Sequence, residues 1–245
     1  MDSTSSALGD DVCPHCGQRL RKFSIPSLHG GEGRLITVEC DCEGAIEERT
    51  REDRAARART LRSAWERTGV PKRYLDVKPD MEMLRLIDDG KGIYIYGTRG
   101  TGKTHTACSI LKAYVSRHTS EAGWCSARFV STPAWLDSIQ DTYGRWSSSE
   151  DAFQRAAGVK LLVLDDIGKV TSRVSDWSAG KLFRLVNDRY SDGKATVFTS
   201  RYQLADLASR MSTYEDRETA GDMVDRIAET CVPVMMDGPN LRRNA

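Results

Sequence analysis

The chain has 245 residues, and its 36 lysines and arginines nearly balance 35 aspartates and glutamates, which leaves a formal net charge of +1. This length accommodates one sizeable core plus a small appendage. The near-neutral balance excludes binding of nucleic acid through bulk charge, so any such contact must come from a local patch. The polar, acidic start of the chain is unlike a signal peptide, and no stretch approaches the ~18 apolar residues of a membrane span. The sequence therefore predicts a cytoplasmic protein with no membrane partner.

Four of the seven cysteines lie in two short pairs near the N-terminus, joined by a glycine-bearing segment. Each pair brings two thiolates to one side of a tight turn, and a metal replaces the core that so short a segment lacks. We expect a zinc ribbon over residues 1–45, with His15 or His29 as alternative ligands and free surface thiols as the alternative to a metal. Because four ligands leave no open position for water, the site is expected to serve as a scaffold or in partner docking. The predicted ligands are Cys13, Cys16, Cys40 and Cys42.

Residues 46–69 are charged and favour a helix, with arginines interleaved among glutamates and aspartates. This pattern predicts a solvated connecting helix stabilised by ion pairs between residues four apart. The alternative is a tether that presents the ribbon to a partner or lays arginines along a phosphate backbone. Gly69 and Pro71 end the helix, so we place a second domain over residues 70–245.

A glycine-rich segment carries the pattern G-x-x-x-x-G-K-[ST], which binds phosphates in nucleotide-binding proteins. A β-favouring run, residues 93–96, precedes it, and apolar residues at helical spacing follow it. Backbone N–H groups and the start of the helix can therefore surround the phosphates of ATP. We expect the lysine to reach the β- and γ-phosphates and the last threonine to reach Mg²⁺. Upstream, Tyr74 either stacks on adenine or packs at the domain edge. The segment consists of Gly97, Thr98, Arg99, Gly100, Thr101, Gly102, Lys103 and Thr104.

A second motif is the apolar run 161–164 followed by Asp165 and Asp166. A continuous apolar run that ends in carboxylates is typical of a central parallel strand with a Walker B site. Asp165 is predicted to hold Mg²⁺ through water, and Asp166 to act as the catalytic base that orients the attacking water. Because aspartate is shorter than glutamate, we expect slow turnover.

The remaining elements are predicted from periodicity and cap residues. Between the two motifs we expect a strand over 123–130, a helix from Thr132 to about residue 143, and a surface loop over 144–150. A phosphate-binding or base-stacking role for Arg145 and Trp146 is the alternative for that loop. Downstream we expect a helix from Ser175, strands over 195–199 and 231–235, and a short helix over 222–230.

Together these segments resemble AAA+ ATPases of the DnaC/DnaI type, the bacterial and phage replicative helicase loaders. The resemblance covers about residues 70–245 and rests on the two motifs, on Thr-Val-Phe-Thr-Ser-Arg-Tyr, Asp-Arg-Ile-Ala-Glu and Gly-Pro-Asn-Leu-Arg, and on the lack of a helical lid after the last strand. It implies an α/β, P-loop NTPase fold with a five-stranded parallel sheet and helices on both faces. It also implies homo-oligomers in which ATP lies between neighbouring chains.

The resemblance further implies roles for three arginines. Arg226 matches the arginine finger that reaches the γ-phosphate of the adjacent subunit. Arg242 is similar in position to the C-terminal arginine that is often compared with sensor 2. Arg201 departs from the pattern, because family members usually carry asparagine there as the first sensor.

The function implied is an ATP-dependent loader that binds the hexameric replicative DNA helicase and delivers it to single-stranded DNA, with ATP as a switch between assembled and released states. A transposition helper ATPase of the IstB type is one alternative, although it would normally lack the zinc ribbon. The other is a zinc-binding adaptor whose nucleotide site is vestigial, which ATP turnover would exclude.

Overall fold

A computed structural model describes residues 12–26, 34–141, 146–169, 175–212 and 218–241, with residues 146–149 described by their backbone. The chain divides into two compact units, Met1–Arg59 and Thr60–Ala245. None of the helices in the described ranges is long and apolar enough to cross a membrane.

The N-terminal unit contains a two-stranded antiparallel sheet and most of a long helix. Strand β1 (Lys22–Ile25) pairs with β2 (Arg34–Thr37), so that Phe23 lies opposite Ile36. Before β1 the chain turns at Gly17, which has a φ of 70° that favours glycine. Helix α1 (Glu43–Arg67) then begins directly after the second cysteine pair.

Helix α1 belongs to both units, because the division at residues 59 and 60 lies within it. Ala64 and Trp65, near its end, are buried, and the Trp65 indole N–H donates to the carbonyl of Leu75 at 3.0 Å. The end of the helix therefore packs in the second unit, whereas the sequence predicts a boundary at Gly69.

Five strands of the second unit form one parallel sheet, which confirms the predicted fold class. The strands are β3 (Gly92–Tyr96), β4 (Ala127–Ser131), β5 (Leu161–Ile167), β6 (Thr196–Ser200) and β7 (Cys231–Met235). Their order across the sheet is β4-β5-β6-β3-β7. Strand β6 thus lies between the strand that precedes the glycine-rich loop and the strand that carries the two aspartates.

Helices cover both faces of this sheet, because successive residues of its buried strands point to opposite sides. Leu161 and Val163 of β5 join one apolar cluster, and Leu162 and Leu164 join the other. The helices of this unit are α2 (Met81–Asp88), α3 (Lys103–His118), α4 (Thr132–Gln140), α5 (Trp146–Ala157), α6 (Asp176–Ser191), α7 (Leu204–Met211) and α8 (Glu218–Thr230). The first cluster also contains residues of α2, α3 and the end of α1, and the second contains residues of α4 to α8.

Helix α5 corrects the sequence prediction of a surface loop over 144–150. The helix begins at Trp146, and buried Phe153 and Ala156 attach it to the core. Glu150 accepts two hydrogen bonds from the Arg184 guanidinium, at 2.8 and 3.1 Å. These contacts come from residues distant in sequence, so a local reading of the polar segment misses them. Arg145 and its proposed contact lie outside the described residues, as does the side chain of Trp146.

Arg189 of α6 forms hydrogen bonds with residues near the starts of β5 and β6. Its side chain is 2% exposed and donates to Thr196 Oγ1 at 2.8 Å and to the carbonyl of Val159 at 2.8 Å. Further hydrogen bonds reach the carbonyls of Ala156, Ala157, Lys160 and Ala195. Burial lowers the pKa of the Arg189 guanidinium to about 10, so it remains charged at neutral pH. The guanidinium therefore fixes the starts of β5 and β6 relative to α6.

Arg189→Met is expected to lower the free energy of unfolding by about 3 kcal/mol or more, because several buried carbonyl groups lose their donor. Urea denaturation followed by circular dichroism measures the change. Arg210→Met is the control, since Arg210 is exposed on α7. Equal stability of the two variants would contradict the structural role of Arg189.

Candidate nucleotide site and cysteine cluster

The glycine-rich loop runs between β3 and α3 as the sequence predicts. Gly97, Gly100 and Gly102 have φ values of 137°, 86° and 96°, a region that other residues rarely adopt. A Cβ atom at Gly97 would overlap the carbonyl oxygen of Met236, and one at Gly100 would overlap the side chain of Asn240. The loop glycines are thus required both by backbone conformation and by a chain segment that crosses the loop.

That crossing segment follows β7. The Met236 N–H donates to the carbonyl of Tyr96 at 2.7 Å, and the Leu241 N–H donates to the carbonyl of Gly100 at 3.0 Å. The loop is therefore attached at two points to the C-terminal segment, a contact that the sequence alone does not indicate.

Lys103, the lysine of the motif, is buried with its ammonium group among loop carbonyls. Its Nζ donates to the carbonyl of Gly97 at 2.8 Å and to that of Thr98 at 2.5 Å. Thr101 is also buried and donates to the Thr98 carbonyl at 3.0 Å, whereas the side chains of Thr98 and Arg99 are exposed. A positively charged group inside a turn of glycines, at the start of a sixteen-residue helix, fits a phosphate chain.

The two predicted metal-site residues, Thr104 and Asp165, are in contact. Thr104 Oγ1 donates to Asp165 Oδ1 at 2.9 Å, and Thr199 Oγ1 of β6 donates to the same oxygen at 2.6 Å. Burial raises the pKa of Asp165, and the two hydroxyl donors oppose that rise. A carboxylate next to a threonine hydroxyl is a donor set suited to Mg²⁺ with its water ligands. Thr199 is a site residue that the sequence analysis does not assign.

Asp166 has a left-handed backbone with a φ of 61°, which is unusual for a residue other than glycine. Its carboxylate lies 3.3 Å from Lys169 Nζ, and its N–H donates to Thr199 Oγ1 at 2.9 Å. Strained backbone of this kind is often found at functional sites. Its role as the catalytic base stays a prediction.

Two of the three predicted arginines, Arg201 and Arg226, lie within the described residues. Arg201 is half-buried just beyond the end of β6. Arg226 lies on α8 with its guanidinium carbon 5.0 Å from the ring centre of Phe183 and 5.8 Å from that of Tyr190, both on α6. Arg242 lies outside the described residues. The finger and sensor roles remain predictions.

Tyr74 lies at the edge of the second unit, where it packs against the apolar cluster that contains α2 and α3. The guanidinium carbon of Arg73 is 5.0 Å from its ring centre. Of the two sequence-based alternatives, edge packing is the one that these contacts favour.

The four predicted cysteine ligands come together in the N-terminal unit, with all four sulfur atoms within 4.8 Å of one another. Cys13 and Cys42 sulfurs are 3.7 Å apart, and those of Cys16 and Cys40 are 3.5 Å apart. A tetrahedral zinc ion with Zn–S bonds of ~2.3 Å requires sulfur separations of about 3.8 Å. The cluster therefore fits zinc without a histidine.

His15, one of the two alternative ligands, instead pairs with Glu48 of α1, with Nε2 and Oε2 2.6 Å apart. The other alternative, His29, lies outside the described residues. Backbone N–H groups of Cys16 and His15 lower the pKa of Cys13 to about 6, whereas hydrogen bonds with neighbouring thiols raise the pKa of Cys16 to about 12, so in the absence of a metal the thiolate forms first at Cys13.

Gly100→Ala is expected to weaken nucleotide binding at least tenfold, because the methyl group overlaps Asn240 and the positive φ is strained. Titration with a fluorescent ATP analogue measures the affinity. Gly90→Ala is the control, since Gly90 has a φ of 77° but nothing within 4 Å of the added Cβ. Equal affinities for the two variants would show that the close approach at Gly100 is unimportant.

The purified protein is expected to contain about one zinc ion per chain, and Cys40→Ser to remove it, because the ion then has three thiolate ligands. Elemental analysis by mass spectrometry gives the stoichiometry. Cys125→Ser is a matched control outside the cluster. Retention of zinc by Cys40→Ser would contradict the four-cysteine site.

Comparison with solved structures supports the fold. The chain is similar to the crystal structure of the DnaC helicase loader, with a TM-score of 0.53 and 23% identity over 68% of this chain and 100% of that one. The crystal structure of DnaI gives a TM-score of 0.50 and 20% identity over 84% and 88% of the two chains. At these identities the likeness shows the fold, which is that of the AAA+ P-loop domain.

Two protein sequences are also similar to this chain. An ATP-binding protein in an insertion sequence of Mycobacterium tuberculosis is 26% identical over 87% of this chain and 83% of its own length. The replicative helicase loader DnaI of Bacillus subtilis is 29% identical over 62% of this chain but only 48% of its own length.

The model of one protein family, described as IstB-like ATP binding protein, matches residues 56–245, which excludes the cysteine cluster. Together with the phosphate loop and the carboxylate beside it, this match identifies the chain as a member of the IstB-like ATP-binding protein family, an ATPase of the AAA+ type.

Proposed function

We propose that the protein is an ATP-dependent loader that binds the replicative DNA helicase and delivers it to single-stranded DNA in replication initiation. The observation that carries this function is the pairing of a complete ATP-binding unit with a separate N-terminal unit that exposes apolar side chains. An ATPase that acts on another protein needs both a nucleotide switch and a surface for its partner.

The N-terminal unit offers such a surface on one face of its strand pair. Phe23 is 59% exposed and Ile36, which lies opposite it, is 40% exposed. Ile25 and Val38 are also exposed and lie on the same face, and Arg21 and Arg34 flank them. Apolar side chains exposed together are typical of protein interfaces. This face suits a partner surface that is apolar at its centre and carries carboxylates at its rim.

The second unit would bind ATP through the chain's own residues. Lys103 would donate to phosphate oxygens in place of the loop carbonyls, and the half-buried Asp165 and Thr104 would hold Mg²⁺, which would neutralise charge on the phosphates. Asp166 lies beside this pair and orients water. Arg226 would complete the site of a neighbouring chain, so that hydrolysis depends on assembly.

The similarity to DnaI, a replicative helicase loader, supports this function, because it includes sequence identity of 29% and not only the fold. Direct contact with single-stranded DNA remains part of the proposal, as does zinc in the cysteine cluster.

A transposition helper is the second candidate function. The matching family model and the insertion-sequence protein, which aligns over 87% of this chain, favour it. Because the family match begins at residue 56, the cysteine cluster does not distinguish a loader from a helper that has gained an N-terminal unit.

The two functions differ in the partner that forms a stable complex. Native mass spectrometry of the protein mixed with the replicative helicase of its source organism, with and without ATP, is expected to show a defined complex. The doubly substituted protein Cys13→Ser, Cys16→Ser is expected to lose that complex but keep ATP binding. No complex with the helicase, and a complex with a transposase, would overturn the loader in favour of the helper.

Arg226→Ala is expected to bind ATP normally but to lose most assembly-dependent hydrolysis, on the order of a hundredfold or more, because the finger acts on the neighbouring site. Lys103→Ala is expected to lose ATP binding while it keeps Arg226. A mixture of the two inactive variants should therefore regain turnover, measured by phosphate release. Full activity of Arg226→Ala alone would contradict the finger assignment.

A further inference from the structure

Thr199 connects the two aspartates of the nucleotide site. It lies on β6, is 1% exposed, and uses its hydroxyl as both donor and acceptor. Oγ1 donates to Asp165 Oδ1 at 2.6 Å and accepts from the N–H of Asp166 at 2.9 Å. One side chain thus contacts the carboxylate predicted to hold the metal and the backbone that carries the predicted base.

The sheet register explains why this contact is needed. Leu164 of β5 pairs with Phe198 of β6, and the next pair is Ile167 with Ser200. Two residues of β5, Asp165 and Asp166, therefore face the single residue Thr199, as in a β-bulge. At a bulge the backbone ladder is interrupted, and the Thr199 hydroxyl supplies the acceptor that the Asp166 N–H would otherwise lack.

We infer that Thr199 is a positioning residue of the ATPase reaction, which holds Asp165 and Asp166 in the arrangement that Mg²⁺ and the attacking water require. This role rests on ATP hydrolysis by the second unit and is independent of the partner that the protein serves.

The geometry of Asp165 gives this role a chemical basis. Both hydroxyl donors, Thr104 from α3 and Thr199 from β6, bond to Oδ1. Within the described residues, Oδ2 has no hydrogen-bond donor and keeps its lone pairs for water bound to the metal. Without Thr199, only Thr104 restrains rotation of the carboxylate about its terminal torsion, and the strained backbone at Asp166 loses its hydrogen bond to Oγ1.

Thr199→Val tests this role, because valine has the same shape but no hydroxyl. In EDTA, its affinity for a fluorescent ATP analogue is expected to match that of the unsubstituted protein, since the phosphate loop is intact. The gain in affinity on addition of Mg²⁺ should be about tenfold smaller than in the unsubstituted protein. Turnover should fall at least tenfold. Thr199→Ser, which keeps the hydroxyl, should restore both properties to within about threefold.

Thr132→Val is the matched control. Thr132 is also 1% exposed, and its hydroxyl oxygen has no hydrogen-bond partner among the described residues, so this substitution removes a buried hydroxyl that does not bond to Asp165 or Asp166. Its Mg²⁺ dependence and turnover should stay unchanged. If Thr199→Val does not fold, Thr199→Cys replaces it, because a thiol is a weak donor and should give an intermediate loss.

Two results would overturn the role of Thr199. One is normal Mg²⁺ dependence and turnover in Thr199→Val. The other is an equal loss in Thr199→Val and Thr199→Ser that extends to binding in EDTA, which would indicate a purely structural residue. Neither result depends on the helicase or the transposase, so the loader function is tested separately.

Discussion

Partial burial of the Asp165 carboxylate is the constraint on which the nucleotide site depends. A buried charge is costly unless donors satisfy it, and the donors come from two different elements. Thr104 brings in the first turn of α3, and Thr199 brings in β6. Hydrogen bonds from the first turn after the phosphate loop and from β6 therefore meet at one atom of β5, Asp165 Oδ1.

A second link connects the phosphate loop to the end of the chain. The segment after β7 forms hydrogen bonds with the backbone of Tyr96 and Gly100. It lies so close to Gly97 and Gly100 that a Cβ atom at either position would overlap it. Lys103 bonds to the carbonyl of Gly97, the glycine that lies against Met236, so the lysine and the C-terminal segment contact the same turn.

Much of this arrangement can be predicted from the sequence, since the strongest signals are local. The apolar run before Asp165 and the glycines before Lys103 predict a parallel sheet and a phosphate site, because few other structures suit such residues. The cysteine spacing likewise predicts the cluster. The role of Thr199 cannot be predicted from the sequence, because threonine is common at strand ends and only the bulge places this one opposite two aspartates. The hydrogen bonds of Arg189 and the packing of helix α5 are also missed, because their partners lie about 30 residues away in the sequence.

We propose that the nucleotide state of the second unit controls how firmly the protein holds its partner. The most direct measurement is the dissociation rate of the replicative helicase from the immobilised protein without nucleotide, with ADP and with ATP, for the natural sequence and for Lys103→Ala. We expect this rate to change at least tenfold with nucleotide in the natural protein and not at all in Lys103→Ala. A rate that is the same with every nucleotide in both proteins would contradict it.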